Sequence, residues 1–569
     1  MGKSSLSGAD HLINTLETLG VKHVFCVPGS GDRPVYNALR QSSIQTILAT
    51  NELNAAFMAN GYFRNSGKVG VIIVIPGPGF TTSITGIVEA FFDSAGLVCI
   101  ICKYPKFPGK KFQFQDINEQ DIDRTFVKKS FSVSGASEIR KILFEAFVIA
   151  STGEPGPVLV ELSSGFLSEK APQSVITCVQ PQFDNPSPDK KKMKEAVRLI
   201  SSSRRVVLFL GQGALNTSPQ IWKLVELLKA PVLTTTSGRG ILPEDHPMSL
   251  SCDYLEGRLE LINSFLHSSD LIVALGCKFS SNSTFGFRLN FSKEKLIHVD
   301  ASPETLGANY PARLEITADV AKFLDSLLEH REEFNAREIG WDDSELERCR
   351  NLISKKKREF PEPSLEGMKP PTALAFFSAL REILPEKSCL VTDSGLHQIL
   401  ARKYFEVRRP RSLIIPSDYQ SVGYGIPAGI GAKLSDPDKM TVVVTGDGGF
   451  AMTGIELITV AREKIKLLVV IFNDNHLGII RLNQLAQFGK SHAVRTGEID
   501  YSKLSEALKL KYYRLNNNLK EIFDQFQADD GTALLEVKLK DSFNIHKSRI
   551  KGLIKNKAGN LLSKKFLKK

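Results

Sequence analysis

Three stretches of this chain alternate short apolar, β-branched runs with helical patterns, and that alternation restricts the possible folds more than any other feature. The first, 1–170, carries His23-Val-Phe-Cys-Val, Val69-Gly-Val-Ile-Ile-Val-Ile and Pro157-Val-Leu-Val-Glu-Leu as predicted strands. The second, 193–335, carries Arg205-Val-Val-Leu-Phe-Leu, Asp270-Leu-Ile-Val-Ala-Leu and Leu296-Ile-His-Val-Asp. The third, 371–545, carries Met440-Thr-Val-Val-Val-Thr and Lys466-Leu-Leu-Val-Val-Ile-Phe. A Pro- and Lys-rich linker, 171–192, and a charged linker containing Trp341, 336–370, separate the three. The expectation is an α/β chain of three consecutive doubly wound parallel-sheet domains of similar size. Its 569 residues, at about 150 per domain, admit three or four such units.

Composition removes several classes. With 42% hydrophobic and 24% charged residues the chain has ordinary globular usage, so disorder and fibrous architectures are excluded. No apolar run approaches the ~18 residues of a membrane span. The N-terminus lacks a secretory apolar core, and Leu6 breaks the myristoylation pattern that Met1-Gly2 would begin. A soluble cytoplasmic protein without membrane partners is expected. The net charge is +11, but 547–569 contains nine Lys or Arg and no acid, which leaves 11 − 9 = +2 for the rest. A nearly neutral body argues against a nucleic-acid surface. The basic tail, 546–569, reads as a solvated end that could touch an acidic surface. Of eight cysteines, the close pair Cys99 and Cys102 lies in Leu97-Val-Cys-Ile-Ile-Cys, a strand in which thiols act as small apolar groups. No second CxxC or His pair supports zinc, and no disulfide is implied.

In open α/β sheets, ligands sit beyond the carboxyl ends of strands. The strand Met440-Thr-Val-Val-Val-Thr ends in Gly446-Asp447-Gly448-Gly449, and Lys466-Leu-Leu-Val-Val-Ile-Phe ends in Asn473-Asp474-Asn475-His476. One βαβ unit thus sets Asp447 and Asp474, 27 positions apart, at one edge of two parallel strands. The helix between them offers Met452, Ile455 and Ile458, one turn apart, as predicted core residues. Hard cations such as Mg²⁺ want oxygen ligands in an octahedron and keep places for phosphate oxygens. Glycines let backbone N–H groups approach an anion at a helix start. Taken alone, each motif is an ordinary turn; together, after two strands, they favour a metal and diphosphate site.

Gly446-Asp447-Gly448 followed by Asn473-Asp474 resembles the thiamine diphosphate motif of the acetolactate synthase and pyruvate decarboxylase superfamily. The resemblance covers about 1–540 and implies the pyrimidine-binding, middle and diphosphate-binding domain arrangement. It implies Asp447, Asp474 and the carbonyl of His476 as Mg²⁺ ligands, with Gly448 and Gly449 beside the diphosphate. The family motif usually ends in Asn-Asn, so Asp474 adds a negative charge. Glu52-Leu-Asn-Ala-Ala-Phe-Met-Ala-Asn-Gly-Tyr resembles the segment with the cofactor-activating glutamate; Asn51 would cap that helix. By this match Glu52 binds N1′ of the aminopyrimidine and favours the imino tautomer that removes the thiazolium proton, general acid–base help worth typically 10²–10⁴-fold.

Two loops, Pro28-Gly29-Ser30-Gly31 and Pro76-Gly77-Pro78-Gly79, are tight turns by themselves. By resemblance, Pro28, Gly29 and Gly77 let the backbone approach the cofactor, although the family commonly has Ser at the place of Pro76. Gln420-Ser421-Val422-Gly423-Tyr424-Gly425 resembles the segment whose apolar residue, here Val422, props the cofactor bent while the Gln420 carbonyl accepts from its amine. Ser394-Gly395-Leu396-His397 resembles the segment near the diphosphate, which implicates Gly395 and His397. Met452 matches the methionine beside the thiazole.

The acetolactate synthase branch is the nearest. Phe112-Gln-Phe-Gln-Asp-Ile-Asn resembles its Phe-Gln segment, where Gln115 would contact the reacting oxyanion or the acceptor. The His-His pair of a simple pyruvate decarboxylase is absent there. Two departures stand out. Gly276-Cys-Lys-Phe-Ser-Ser-Asn282 has lost most charges of a stretch that lies near FAD, and Asn483 stands in place of a specificity Trp. The middle domain therefore need not hold FAD. The expectation is decarboxylation of a pyruvate-like 2-oxo acid with carboligation to a carbonyl acceptor, in a homodimer or homotetramer with shared active sites. The alternatives are a non-ligating decarboxylase or carbon–carbon lyase, and a catalytically silent cofactor-binding scaffold that uses its tail.

Overall fold

A computed structural model describes residues 5–172, 185–250, 259–335, 338–357, 371–516 and 518–539. The basic tail, most of the first linker and 358–370 of the second lie outside them. Three parallel sheets follow one another. The N-terminal sheet has six strands in the spatial order Gln45–Leu48, His23–Cys26, Gly70–Val74, Leu97–Lys103, Pro157–Ser163, Lys129–Ser132. The middle sheet has five, with Val206–Leu210, Leu271–Leu275 and Leu296–Asp300 adjacent at its centre. The C-terminal sheet has six, ordered Leu413–Ile414, Ser388–Thr392, Met440–Gly446, Leu468–Phe472, Ala533–Val537, Lys511–Arg514. Helices cover both faces, so the central strands are buried throughout and read as continuous apolar runs. Cys99 and Cys102 are buried free thiols within one of them. No helix among the described residues is long and apolar enough to cross a membrane.

The first and third domains share a core. The helices Glu52–Ser66 and Gly425–Ser435 touch backbone to backbone: a Cβ at Gly61 would lie 2.0 Å from the Ala428 carbonyl oxygen, and one at Gly431 would lie 1.8 Å from that of Met58. Phe57 and Tyr424 meet edge to face at 5.4 Å in the same seam. Beside it, Arg64 pairs with Asp93 at 2.8 Å, and Asp93 also accepts from the N–H of Ser417 at 3.1 Å. Glu89 accepts from the N–H of Ser421 at 2.8 Å, and with Asp93 close by its burial raises its pKa to about 8. These acids of the first domain hold the 417–421 loop of the third. The middle domain joins through Ser280, which donates to Asp418 at 2.8 Å, and through Arg239, which donates to the Phe405 carbonyl at 2.6 Å. Trp341 is buried, stacks on Phe265 at 4.7 Å and donates to the Val206 carbonyl, so the start of the second linker is built onto the middle sheet.

One expectation is corrected. Met452, Ile455 and Ile458 are not core; they are 59%, 51% and 41% exposed. The segment is a helix over Asp447–Thr453, a tight turn over Gly454–Glu456 and a second helix over Leu457–Arg462. Its buried stripe is Phe450, Thr453, Leu457 and Val460. Two apolar stripes run along this segment, and periodicity alone does not say which one packs inside the chain.

Candidate active site

Strand register places the two acids. Gly446 pairs with Phe472 across parallel strands, so Asp447 and the Asn473-Asp474 loop leave the sheet at one level of one edge. Asp447 is only 3% exposed, and its Oδ2 has no hydrogen-bond partner. Burial raises its pKa to about 6, and the negative charge of Asp474 adds to the rise. Burial raises that of Asp474 as well. The Asp474 carboxylate accepts from the His476 N–H at 3.0 Å, and its carbonyl accepts from the His476 ring at 2.6 Å, which sets the loop that carries the His476 carbonyl. Two acids that leave one sheet edge at the same level and act on each other's charge, one with an unmet oxygen, form a set that fits a hard divalent cation.

The ring of His397 is buried against this edge. A Cβ at Gly446 would lie 3.1 Å from its Nδ1, and one at Gly395 would lie 2.7 Å from its Cε1. Burial lowers the His397 pKa to about 4, so the ring is neutral near pH 7, and its Nε2 is a second buried atom without a partner.

Asp393, which motif reading missed, organises the neighbouring loops. It accepts from the N–H groups of Ser394 at 2.7 Å, Gly423 at 2.8 Å and Gly425 at 3.1 Å. A Cβ at Gly449 would lie 2.6 Å from its Oδ2. Burial raises its pKa to about 6 against the pull of those N–H donors. The signal was available: Asp393 follows the strand Ser388–Thr392 directly, at the same sheet edge as Asp447. Through Asp393, the segments with Gly395, with Gln420 and Val422, and with Gly449 become one unit. Gln420 has φ +61°, and Val422 is 39% exposed on a loop instead of buried in a sheet. Gly423 abuts Met452 and Thr453, and the Thr453 hydroxyl donates to the Gly423 carbonyl at 2.7 Å. Met452 and the Val422 loop therefore face solvent side by side.

A second set forms at the N-terminal sheet. Glu52 is the first residue of its helix, and Asn51 caps it by accepting from the Asn54 N–H at 2.9 Å. The Glu52 carboxylate is half-buried, makes no side-chain hydrogen bond among the described residues, and has its pKa raised by burial. A Cβ at Gly79 would come within 3.1 Å of Glu52 Oε1. Gly77, at φ +60°, lies against Gln115, itself at φ +53° with a buried, unpartnered Oε1. Ile75 touches both Gly29 and Gly79, which brings the loop with Pro28 and Gly29 alongside, and Asp32 accepts from the Gly29 N–H at 2.9 Å. Among the described residues no hydrogen bond or ion pair joins Glu52 or Gln115 to Asp447, Asp474 or His397. The two sets are instead locked from behind, where Glu456 accepts from the Thr50 N–H at 3.0 Å and the Asn54 amide at 2.6 Å.

Gly211, Gln212, Gly276, Lys278 and Asp300 of the middle domain line a cavity of about 230 Å³. Arg64 and Phe92 of the first domain and Arg411 and Asp418 of the third line it too, so the cavity lies where the three domains meet.

Comparison with known proteins bears on the whole chain. Sequence models of the thiamine pyrophosphate enzymes match in three places: the N-terminal TPP binding domain at 6–121, the central domain at 193–327 and the C-terminal TPP binding domain at 393–537. A probable acetolactate synthase large subunit of Methanocaldococcus jannaschii is 32% identical over 90% of this chain and 88% of its own length. The acetolactate synthase isozyme 1 large subunit of Escherichia coli K12 is 29% identical over 94% of each. The chloroplastic acetolactate synthase of Arabidopsis thaliana is 32% identical over 83% of this chain and 71% of its own length. Three sheets in the matching order, with acids and glycines gathered at their carboxyl edges, agree with those alignments, and the chain belongs to the thiamine pyrophosphate enzyme family on its acetolactate synthase-like side.

Proposed function

We propose that this protein decarboxylates a pyruvate-like 2-oxo acid and joins the remaining fragment to a carbonyl acceptor, using thiamine diphosphate and Mg²⁺. The observation that carries the proposal is the Asp447–Asp474 pair at one sheet edge, with a buried carboxylate oxygen left unmet. Asp447, Asp474 and the His476 carbonyl would hold the cation. Gly448, Gly449, Gly395 and the neutral His397 would line the diphosphate. Gln420, Val422 and Met452 present the surface for the two rings. Pro28, Gly29, Gly77 and Glu52 would close over the other side. When bound, the cofactor would supply a carbon nucleophile and an electron sink for the carbon–carbon bond pair left behind as CO₂ departs. Glu52, desolvated and unpaired, is suited to share a proton with a ring nitrogen. The side-chain NH2 of Gln115, the donor end of its amide, would reach the reacting oxygen.

The site is completed between subunits in this reading. Exposed Met452, Ile455, Ile458 and Leu48 form an apolar face beside the Val422 loop, and a homodimer or homotetramer would cover it. Glu52 of one subunit then meets the metal pair of another. Incubating the full chain with pyruvate, thiamine diphosphate and Mg²⁺ tests the proposal. Acetolactate supports ligation; free acetaldehyde with no ligated product would favour the non-ligating decarboxylase. Absence of CO₂ release from any 2-oxo acid would overturn both.

A further inference from the structure

The N-terminal sheet carries a feature that the proposed chemistry does not use. Tyr104, Phe107, Phe114, Pro76 and Gln115 line a cavity of about 270 Å³. Tyr104 and Phe114 meet edge to face at 5.2 Å and form one wall. The loop 76–79 separates this cavity from the Glu52 carboxylate: Pro76 lines the cavity, Gly77 lies against Gln115, and Gly79 lies against Glu52 Oε1. The cavity therefore begins one loop away from the acid.

Its charges are already balanced. Lys103 and Lys106 reach the lining, but Lys103 pairs with Glu119 and lies 3.6 Å from Glu161, while Lys106 pairs with Asp116 at 2.9 Å. No surplus cation is left among these lining residues to select a second carboxylate on a substrate. The buried Gln115 Oε1 is an acceptor without a partner, and the Gln115 backbone lies against Gly77. A chamber lined chiefly by aromatic and apolar side chains suits a ligand with an apolar body. A methyl group, which is all that pyruvate offers, would leave most of that space unfilled. Phe107 and Phe114 are also exposed, so the chamber opens outward and admits length.

We infer that this cavity receives the apolar substituent, aliphatic or aromatic and larger than methyl, of a carbonyl substrate. This deepens the proposed function and rests on it. The substituent can arrive on the 2-oxo acid donor or on the acceptor.

Two experimental arms distinguish the sources, both with the full chain, thiamine diphosphate and Mg²⁺. The first measures CO₂ release from pyruvate, 2-oxobutanoate, 2-oxohexanoate and phenylpyruvate. The second keeps pyruvate as donor and measures ligation to acetaldehyde, hexanal and benzaldehyde. In one arm kcat/KM should rise about fourfold per added methylene group, the scale of burying CH₂. Phe107→Ala and Phe114→Ala should shrink the preference for large over small substrates by roughly tenfold, as loss of packing against a substituent does. Structural damage alone would lower both rates and leave their ratio. A preference that is flat or falls with size in both arms, as when a second subunit fills the chamber, overturns the inference and leaves pyruvate turnover standing. A ratio unmoved by both substitutions does the same. If no 2-oxo acid releases CO₂, the functional reading fails and the inference falls with it.

Discussion

Asn54 donates its side-chain amide to the carboxylate of Glu456 at 2.6 Å, with both residues fully buried. One belongs to the helix that opens with Glu52, and the other to the turn just after Asp447–Thr453. The two sets of candidate residues within one chain are thus referenced to each other through a contact that involves neither Glu52 nor the Asp447–Asp474 pair. Thr50 adds its N–H and hydroxyl to the same carboxylate.

Removing either partner strands buried polar groups, so Asn54→Ala and Glu456→Ala should each destabilise by about 1–3 kcal/mol or more. Their effects should not add. A double-mutant cycle read by urea unfolding is expected to give a coupling of about 1–3 kcal/mol. Simple additivity would mean that the contact carries no stability.

Glu52→Gln keeps the shape of the side chain and removes its ability to hold and release a proton. Cofactor uptake, followed by tryptophan quenching or equilibrium dialysis, should persist while turnover falls roughly 10²-fold or more. Mixing this variant with Asp447→Ala should restore part of the activity if sites are shared between chains; no recovery after subunit exchange would place both residues in one chain's site.

Asp474→Asn removes one of two facing negative charges. Each carboxylate repels the other until a dication arrives, so the variant should bind Mg²⁺ about tenfold more weakly, read by titrating Mg²⁺ or Mn²⁺ against the protein with thiamine diphosphate present. Turnover at saturating metal should survive. Equal or tighter metal affinity would show that Asp474 does not reach the cation.

Asp300, at the end of a middle-domain strand, has its pKa raised from 3.8 to about 6 by burial, and Glu154 adds to that rise. Well below pH 4 the carboxyl holds its proton in the folded and unfolded chain alike and costs nothing. As pH climbs towards 6 the unfolded chain gives up the proton first, so the folded state is progressively penalised, and above 6 the penalty is complete. Asp300→Asn should therefore match the native chain near pH 4 and exceed it at pH 8 by up to about 3 kcal/mol, since each tenfold difference in proton affinity is worth roughly 1.4 kcal/mol. Thermal melts of both proteins across that range check the sign.

The exposed stripe of Met452, Ile455 and Ile458 gives a test of assembly. Ile455→Glu together with Ile458→Glu should shift the protein towards a monomer in sedimentation velocity, with loss of turnover and retention of helical signal. An unchanged mass would place the subunit contact elsewhere.

Much of the architecture was legible because strands buried on both faces leave unbroken runs such as Leu468–Phe472. Asp447 and Asp474 were legible because each ends such a run, and strand ends of a parallel sheet share an edge. Asp393 obeys the same rule, but its strand, Ser388–Thr392, was not among the predicted runs, so the neighbouring Ser394–His397 segment was singled out without it. Glu456 was invisible for another reason: its partners lie some 400 positions away, at Thr50 and Asn54. The stripe at Met452 was misread because amphipathic spacing reports an apolar face without naming what covers it. Val422 reads as ordinary sheet core without the family resemblance, and only the loop in three dimensions shows why it is exposed.

The seam where Gly61 meets Ala428 and Gly431 meets Met58 has a mechanical result. At those two points no side chain separates the backbones, and Asn65 of one helix donates to the Ala432 carbonyl of the other, so neither can glide over its neighbour. Any breathing that admits a substrate must be taken up by surface loops or by whole protomers, because the first and last thirds of the chain behave as one welded block.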